Sequence, residues 1–123
     1  MATERKIGGV VYRCDKLPAE PALKLYMKLN EVFAGDQVVL ATIASDTGRE
    51  GALKAFLHAS MNNPLDAEKV TGFLGETVGL CRVGADPCIV GVKPADLRGL
   101  LAVAWFAMEV NFRDFLAVSL ADA

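Results

Sequence analysis

Apolar residues recur every three or four positions through most of this chain, and glycine, proline or asparagine interrupts the repeat at intervals. This spacing predicts amphipathic helices, because residues three and four apart lie on one helical face. Helices are predicted from Pro18 to Gly35 and again after Asn63, which is the expected N-cap. Between them, Thr47 and Glu50 have the spacing of a capping box and predict the start of another helix.

Three segments lack clear helical spacing. Residues 38–44 are a continuous apolar run that suits a buried strand or a short buried helix. We predict a helix, because Asp36 is a good N-cap and both neighbouring segments are helical. Residues 6–15 are β-prone on both sides of Gly8-Gly9, a dipeptide suited to a hairpin turn, and predict a small hairpin or one strand preceded by a turn. Residues 79–92 are also rich in β-formers around a turn and predict a second short β-ribbon.

The last predicted helix spans residues 94–120 and is too apolar to face water. A helix that is apolar on nearly all sides is buried in a core, in a membrane or against a partner. The uncharged run from Gly99 to Met108 lies between Arg98 and Glu109 and is about half of the roughly 20 residues that a membrane span needs. We therefore expect no membrane insertion, and we expect this helix to contact both the core and a partner protein.

The large side chains of this helix are predicted to fall on two faces. One stripe at spacings of three and four is assigned to the core: Trp105, Met108, Phe112 and Phe115. Phe106 and Val110 are left on a flank. Glu109, a carboxylate inside an apolar run, either belongs to a solvated strip or reaches a partner, and Arg113 is its natural ion-pair partner on the next turn. The residues predicted to bind a partner protein are Phe106, Glu109, Val110 and Arg113.

These elements predict an α+β fold that is predominantly helical, with four or five helices, a small N-terminal hairpin and a second short β-ribbon. The length of 123 residues fits a single domain, residues 1–123, around one core. A formal net charge of −2 without a block of basic residues argues against a nucleic-acid surface. The hydrophobic content of 53% exceeds that of an ordinary soluble domain and indicates self-association or contact with other subunits.

Residues with catalytic or metal-binding chemistry are few and scattered. Cys81 and Cys88 do not have the spacing of a zinc site, and together with Cys14 they are expected to be free, buried thiols. Nothing in the spacing of His58 and Cys81 supports a nucleophilic pair, which would also need an orienting group. We therefore predict no catalytic residue, no metal site and no cofactor, and a protein that acts by binding.

Short motifs near both ends of the chain resemble those of a known family. The first reads Ile7-Gly-Gly-x-x-Tyr12-x-x-x-x-Leu17-Pro18-Ala19, followed by Ala22-Leu23-x-Leu25, and the second reads Glu109-Val-Asn111-Phe112-x-Asp114-Phe115. In these motifs the chain resembles the tail assembly chaperones of tailed bacteriophages and prophages. The positions that match the family's motif are Leu17, Pro18, Asn111, Phe112 and Phe115.

This resemblance implies a small, largely helical, non-enzymatic protein that works in the cytoplasm of the bacterial host. Such a protein would bind the tape measure protein, keep it soluble during tail assembly and help to recruit tail tube subunits. The alternative is a small structural component of the tail, neck or baseplate, which would remain in the virion. Both alternatives explain the apolar excess.

Overall fold

The computed structural model describes residues 2–45 and 48–121, which form five helices and one four-stranded antiparallel sheet. In chain order the elements are β1 (Ala2–Ile7), β2 (Val10–Asp15), α1 (Ala19–Val32), α2 (Gln37–Ala44), α3 (Gly48–Asn62), α4 (Ala67–Val78), β3 (Cys81–Val83), β4 (Asp86–Pro87) and α5 (Leu97–Ala121). The fold is α+β and mostly helical, which confirms the predicted class. Both the N-terminal hairpin and the second β-ribbon are present.

The N-terminal hairpin turns at Gly8 and Gly9, whose φ angles of +58° and +79° are the left-handed values that a tight primed turn requires. β1 pairs with β2 along its whole length in antiparallel register. The hairpin is therefore longer than the predicted residues 6–15. The residues before Lys6 are mostly polar and show no apolar alternation, so their extended conformation comes from pairing with β2 rather than from their own sequence pattern.

The second ribbon extends the sheet in the order β1-β2-β3-β4. It is shorter than residues 79–92 predict: β4 ends at Pro87, and one further hydrogen bond follows, from the N–H of Cys88 to the carbonyl oxygen of Cys81 at 3.2 Å. Beyond it, Ile89 makes an isolated bridge with Lys93, and the chain then runs to α5. The sheet consequently ends before the apolar residues that follow Cys88.

Two helices begin later than the sequence predicts, each at an aspartate. Asp66, rather than Asn63, caps α4. Its Oδ1 accepts hydrogen bonds from the backbone N–H groups of Glu68 at 2.9 Å and Lys69 at 3.1 Å. Asp96 does the same for α5, where the N–H of Gly99 donates to Oδ1 at 2.7 Å. A carboxylate at this position also interacts favourably with the positive end of the helix dipole. Pro94 therefore precedes α5 instead of opening it.

The ambiguous apolar run after Asp36 is a helix, as predicted. The Asp36 side chain accepts hydrogen bonds from the N–H groups of Val38 at 2.9 Å and Val39 at 3.1 Å and so caps α2. The predicted capping box at Thr47 lies outside the described residues.

Helix α5 is the central element of the core. Helices α2, α3 and α4 pack against it, and strands β1 and β2 contact it as well. Residues 101–109 are buried without interruption, which explains why this segment is apolar on nearly every side. Within the described residues, no helix combines the length and the apolar character that crossing a bilayer requires.

Candidate functional site

Strand β1 covers part of the α5 surface that was predicted to bind a partner. Phe106 is fully buried at 0% exposure, and the guanidinium carbon of Arg5 on β1 lies 4.9 Å from the centre of its ring. The expectation that Phe106 lies on an exposed flank is therefore wrong. Helical spacing shows which residues share a face of α5, but it cannot show that a strand from the other end of the chain covers that face. Val110, one turn further on, is half-buried.

Glu109 makes two ion pairs, and the one with Arg5 joins β1 to α5. The residue is 5% exposed, its carboxylate contacts Nη1 of Arg5, and Nη2 of Arg113 lies 3.2 Å from its Oε1. The pair with Arg113 confirms the prediction from their spacing. Sequence reasoning missed Arg5. The only signal for a second partner was that Glu109, as a buried carboxylate, needs compensating charge or hydrogen bonds. Partner binding by Phe106, Glu109, Val110 and Arg113 stays a prediction.

The two sequence motifs from opposite ends of the chain meet at Asn111. Its Oδ1 accepts a hydrogen bond from the backbone N–H of Leu17 at 2.8 Å, and its Nδ2 donates to the carbonyl oxygen of Ala107 at 2.9 Å. Pro18, the residue after Leu17, is the N-cap of α1. Asn111 therefore fixes the point at which the chain leaves the hairpin and enters α1.

An aromatic cluster continues this contact between α1 and α5. Tyr26 meets the rings of Phe112 and Phe115 edge to face, with centroid distances of 5.7 and 5.4 Å. Of the predicted core stripe, Trp105, Met108 and Phe112 are buried. Phe115 is 54% exposed, so its assignment to the core is wrong. Tyr26 covers one side of its ring, and the rest of the ring faces solvent.

Large apolar side chains are exposed on several elements of the described chain. Those on α1 are Leu23 and Met27, those on α3 are Leu57 and Met61, and those from the end of the sheet to the start of α5 are Ile89, Val90, Val92 and Leu97. Single exposed apolar residues are ordinary, but groups of them that lie close together mark surfaces that contact other molecules. The last group is the densest along the chain.

This group borders a groove of about 760 Å³ between the hairpin turn, α3 and the chain that leads into α5. The apolar residues that line it are Ile7, Val10, Tyr12, Leu53, Val92, Pro94 and Ala95. The charged residues that line it are Glu50, Lys54, Lys93, Asp96 and Arg98. The groove is thus built from distant parts of the sequence, and no local spacing predicts it.

The one histidine of the chain takes part in a structural contact. His58 Nδ1 lies 3.1 Å from Oδ2 of Asp36, and Asn63 Nδ2 donates to the same oxygen at 2.9 Å. Burial alone would raise the pKa of Asp36, but the hydrogen bonds from Val39, Asn63 and His58 outweigh it and lower that pKa below its ordinary value. The carboxylate therefore stays charged and holds α2 against α3.

The cysteines form no catalytic pair with the histidine. Cys81 and Cys14 face each other across β3 and β2, and all three cysteines are free and buried, as predicted. The hydrogen bond with Cys14, together with burial, raises the pKa of the Cys81 thiol, so Cys81 is a poor nucleophile. Among the residues that the structure describes, no group of histidine, cysteine and carboxylate side chains is arranged to hold a metal ion.

Comparison with protein families gives one match that covers most of the chain. Residues 8–121 match the model of a family described as "Phage tail assembly chaperone protein, TAC". The matched region includes the first motif from Gly8 onward and the whole of the second. Searches among curated proteins and among solved structures found no match.

Proposed function

Because the chain belongs to the phage tail assembly chaperone family, we propose that it binds the tape measure protein during tail assembly and acts without catalysing a reaction. The observation that carries this proposal is the family match over residues 8–121. The contact between Leu17 and Asn111 supports it, because the residues that carry the resemblance to the family hold the two ends of the fold together.

The proposed action is reversible covering of apolar surface on an unassembled tail protein. Each Å² of apolar surface removed from water contributes roughly 25 cal/mol, so a partner that covers exposed residues such as Val92, Leu97 and Met61 gains affinity without any covalent step. Bound in this way, the partner stays soluble in the host cytoplasm while tail tube subunits are recruited. Self-association of the chaperone through the same kind of surface is part of the proposal, as is a single domain over the whole chain.

The residues first predicted to bind the partner keep a smaller part in this proposal. Val110 and Arg113 are half-buried and so retain surface that a partner can reach. Phe106 and Glu109 lie beneath Arg5, and they support that surface from below. We therefore propose Val110 and Arg113 as contacts on α5, and Phe106 and Glu109 as residues that hold the contact in shape.

The proposal is tested by producing the chain together with the tape measure protein of the same genome. We expect the tape measure protein to be soluble and to co-purify only when the chain is present, with an empty expression plasmid as control. Mass spectrometry of purified virions is the second measurement. A chaperone is absent from mature particles, whereas a fixed copy number there would identify the alternative, a structural component of the tail, neck or baseplate.

A further inference from the structure

We propose that the groove between the hairpin turn, α3 and residues 92–99 is a docking site for the partner, and that its occupant is a short amphipathic segment with apolar side chains flanked by carboxylates. This inference rests on the proposed function and adds to it the position of the site and the chemistry of the segment it receives. The apolar lining, the charge of the rim and the volume of the groove each support it.

The floor and one wall of the groove are apolar. Ile7 and Tyr12, from the two strands beside the hairpin turn, are buried side chains that line its base. Val92, 64% exposed, forms part of the wall, and Ile89 and Leu97 are exposed nearby in the chain. The chain thus holds several large apolar side chains in water on one segment that has almost no regular structure. A partner that covers them removes this apolar surface from water, and this favours a ligand with apolar side chains.

The rim of the groove carries three cations and two carboxylates, an excess of one positive charge. Lys54, Lys93 and Arg98 line it, and within residues 2–45 and 48–121 none of the three forms an ion pair. Two carboxylates lie beside them, Glu50 and Asp96, and Asp96 also accepts the N–H of Gly99 at 2.7 Å where it caps α5. The rim therefore has one more cation than carboxylates, and this excess favours an acidic segment.

Four of the lysines outside the groove differ from those of its rim, although Lys6, Arg13 and Arg82, which do not line the groove, also form no ion pair among the described residues. Four lysines outside the groove lie within ion-pair distance of a carboxylate: Lys16 with Asp114, Lys24 with Glu20, Lys28 with Glu76 and Lys69 with Glu31. A chain with a net charge of −2 has enough carboxylates to pair the rim as well. Among the described residues, the unpaired cations Lys54, Lys93 and Arg98 thus lie together at the groove, beside the exposed apolar segment.

The size and charge of the groove favour a segment of another protein over a second copy of this chain. A volume of about 760 Å³ is within the range of roughly 300–1,000 Å³ of pockets that receive a ligand, and it accommodates a few side chains rather than a folded domain. In a symmetric dimer through this surface, a patch with an excess of one positive charge would face its own copy. Like net charge disfavours that dimer, whereas an acidic segment is attracted.

The test uses overlapping synthetic peptides of the tape measure protein as probes, each with a fluorescent label, and measures their binding to the full chain by anisotropy. We expect the peptides that bind to combine apolar residues with an excess of carboxylates and to bind more weakly as salt is raised. The double variant Lys93→Glu/Arg98→Glu should weaken binding at least about tenfold, because it replaces attraction by repulsion at both positions. Val92→Asp should weaken it by a similar factor, because it places a charge in the apolar wall.

The matched control is Lys24→Glu, which reverses a charge on α1 outside the groove and should change binding less than about twofold. Circular dichroism confirms that each variant is folded, and the charge-reversal variant decides the test if Val92→Asp is not. Binding by basic peptides, or equal binding by Lys93→Glu/Arg98→Glu and the natural chain, overturns the proposal. A third outcome also overturns the proposal: the natural chain is a dimer, and Val92→Asp converts it into a monomer without loss of peptide binding. A second copy of the chain would then be the occupant of the groove.

Co-purification of the full-length tape measure protein separates this inference from the proposed function. If the natural chain and the groove variants retain the tape measure protein equally, the chaperone function stands and the groove is not the docking site. If the natural chain retains none, the proposed function fails, and the groove proposal fails with it. Retention by the natural chain and Lys24→Glu, together with loss in the groove variants, supports both.

Discussion

Replacing Glu109 by glutamine tests whether the buried charge cluster fastens β1 to α5. The substitution keeps the size and one oxygen of the side chain but removes the negative charge between Arg5 and Arg113. Loss of one partner from a buried ion pair costs about 3–5 kcal/mol of the free energy of unfolding. Here the side chains of both arginines are nearly one third exposed, at 31% and 30%, so water partly resolvates them. We therefore expect Glu109→Gln to lower the free energy of unfolding by about 2 kcal/mol.

The measurement is urea unfolding followed by the fluorescence of Trp105, the one tryptophan in the chain, which is buried. A double-mutant cycle with Arg5→Met isolates the contact across the two elements. Because the two side chains share one interaction, we expect the double variant to fall short of additivity by at least about 1 kcal/mol. Lys24→Met is the control, since its pair with Glu20 is exposed at both ends and should contribute less than about 0.5 kcal/mol.

An unchanged midpoint in Glu109→Gln would refute this reasoning, because a buried carboxylate between two cations could not then be stabilising the fold. Strict additivity with Arg5→Met would refute the narrower statement that β1 is held to α5 through this pair. In that case the position of β1 would depend on its pairing with β2 and on the contact of Arg5 with Phe106.

The remaining predictions concern side chains whose surroundings the structure defines. Phe106→Asp should lower the free energy of unfolding by more than about 3 kcal/mol and abolish cooperative urea unfolding, whereas Phe115→Asp should lower it by about 1 kcal/mol or less. Equal losses of stability would contradict the difference in burial between the two side chains. The folded pKa of Asp36 lies below its unfolded value, so its contribution to stability is present above about pH 4 and is lost as pH falls below that value. Asp36→Asn should accordingly show a shallower loss of the circular dichroism signal on acidification, and an unchanged acid profile would contradict the assignment. Cys81 is buried and its pKa is raised, so its thiol should react slowly. Mass spectrometry should show that iodoacetamide alkylates Cys81 no faster than the chain opens, as measured by hydrogen exchange. Rapid alkylation of the folded chain would contradict this prediction.

Local patterns in the sequence were sufficient for the helices and for the hairpin turn. The repeat of Leu25, Leu29 and Val32 is a property of neighbouring positions, and all three residues are buried on one face of α1. Gly8-Gly9 predicts its turn because only a few residues accept positive φ without strain. Helix starts were less predictable where an aspartate a few residues downstream offered a better cap, as Asp66 does for α4.

The candidate site was only partly predictable, for a reason that Phe106 and Phe115 illustrate. Both are aromatic residues on α5, and helical spacing assigned the first to the surface and the second to the core. The structure reverses the assignment, because β1 covers Phe106, while only Tyr26 contacts the ring of Phe115 in an aromatic pair near the end of the helix. Periodicity defines the faces of a helix but not which neighbouring element covers each face.

The sequence by itself determined the helical class, the hairpin and the residues at both ends that carry the family resemblance, because these depend on spacing along the chain. Tertiary structure alone decided that Leu17 meets Asn111, that Arg5 joins Glu109, and that the cations Lys93 and Arg98 line a groove beside the hairpin. These contacts join positions far apart in the sequence, and their energies depend on burial and distance in space. A pattern of neighbouring residues contains neither quantity.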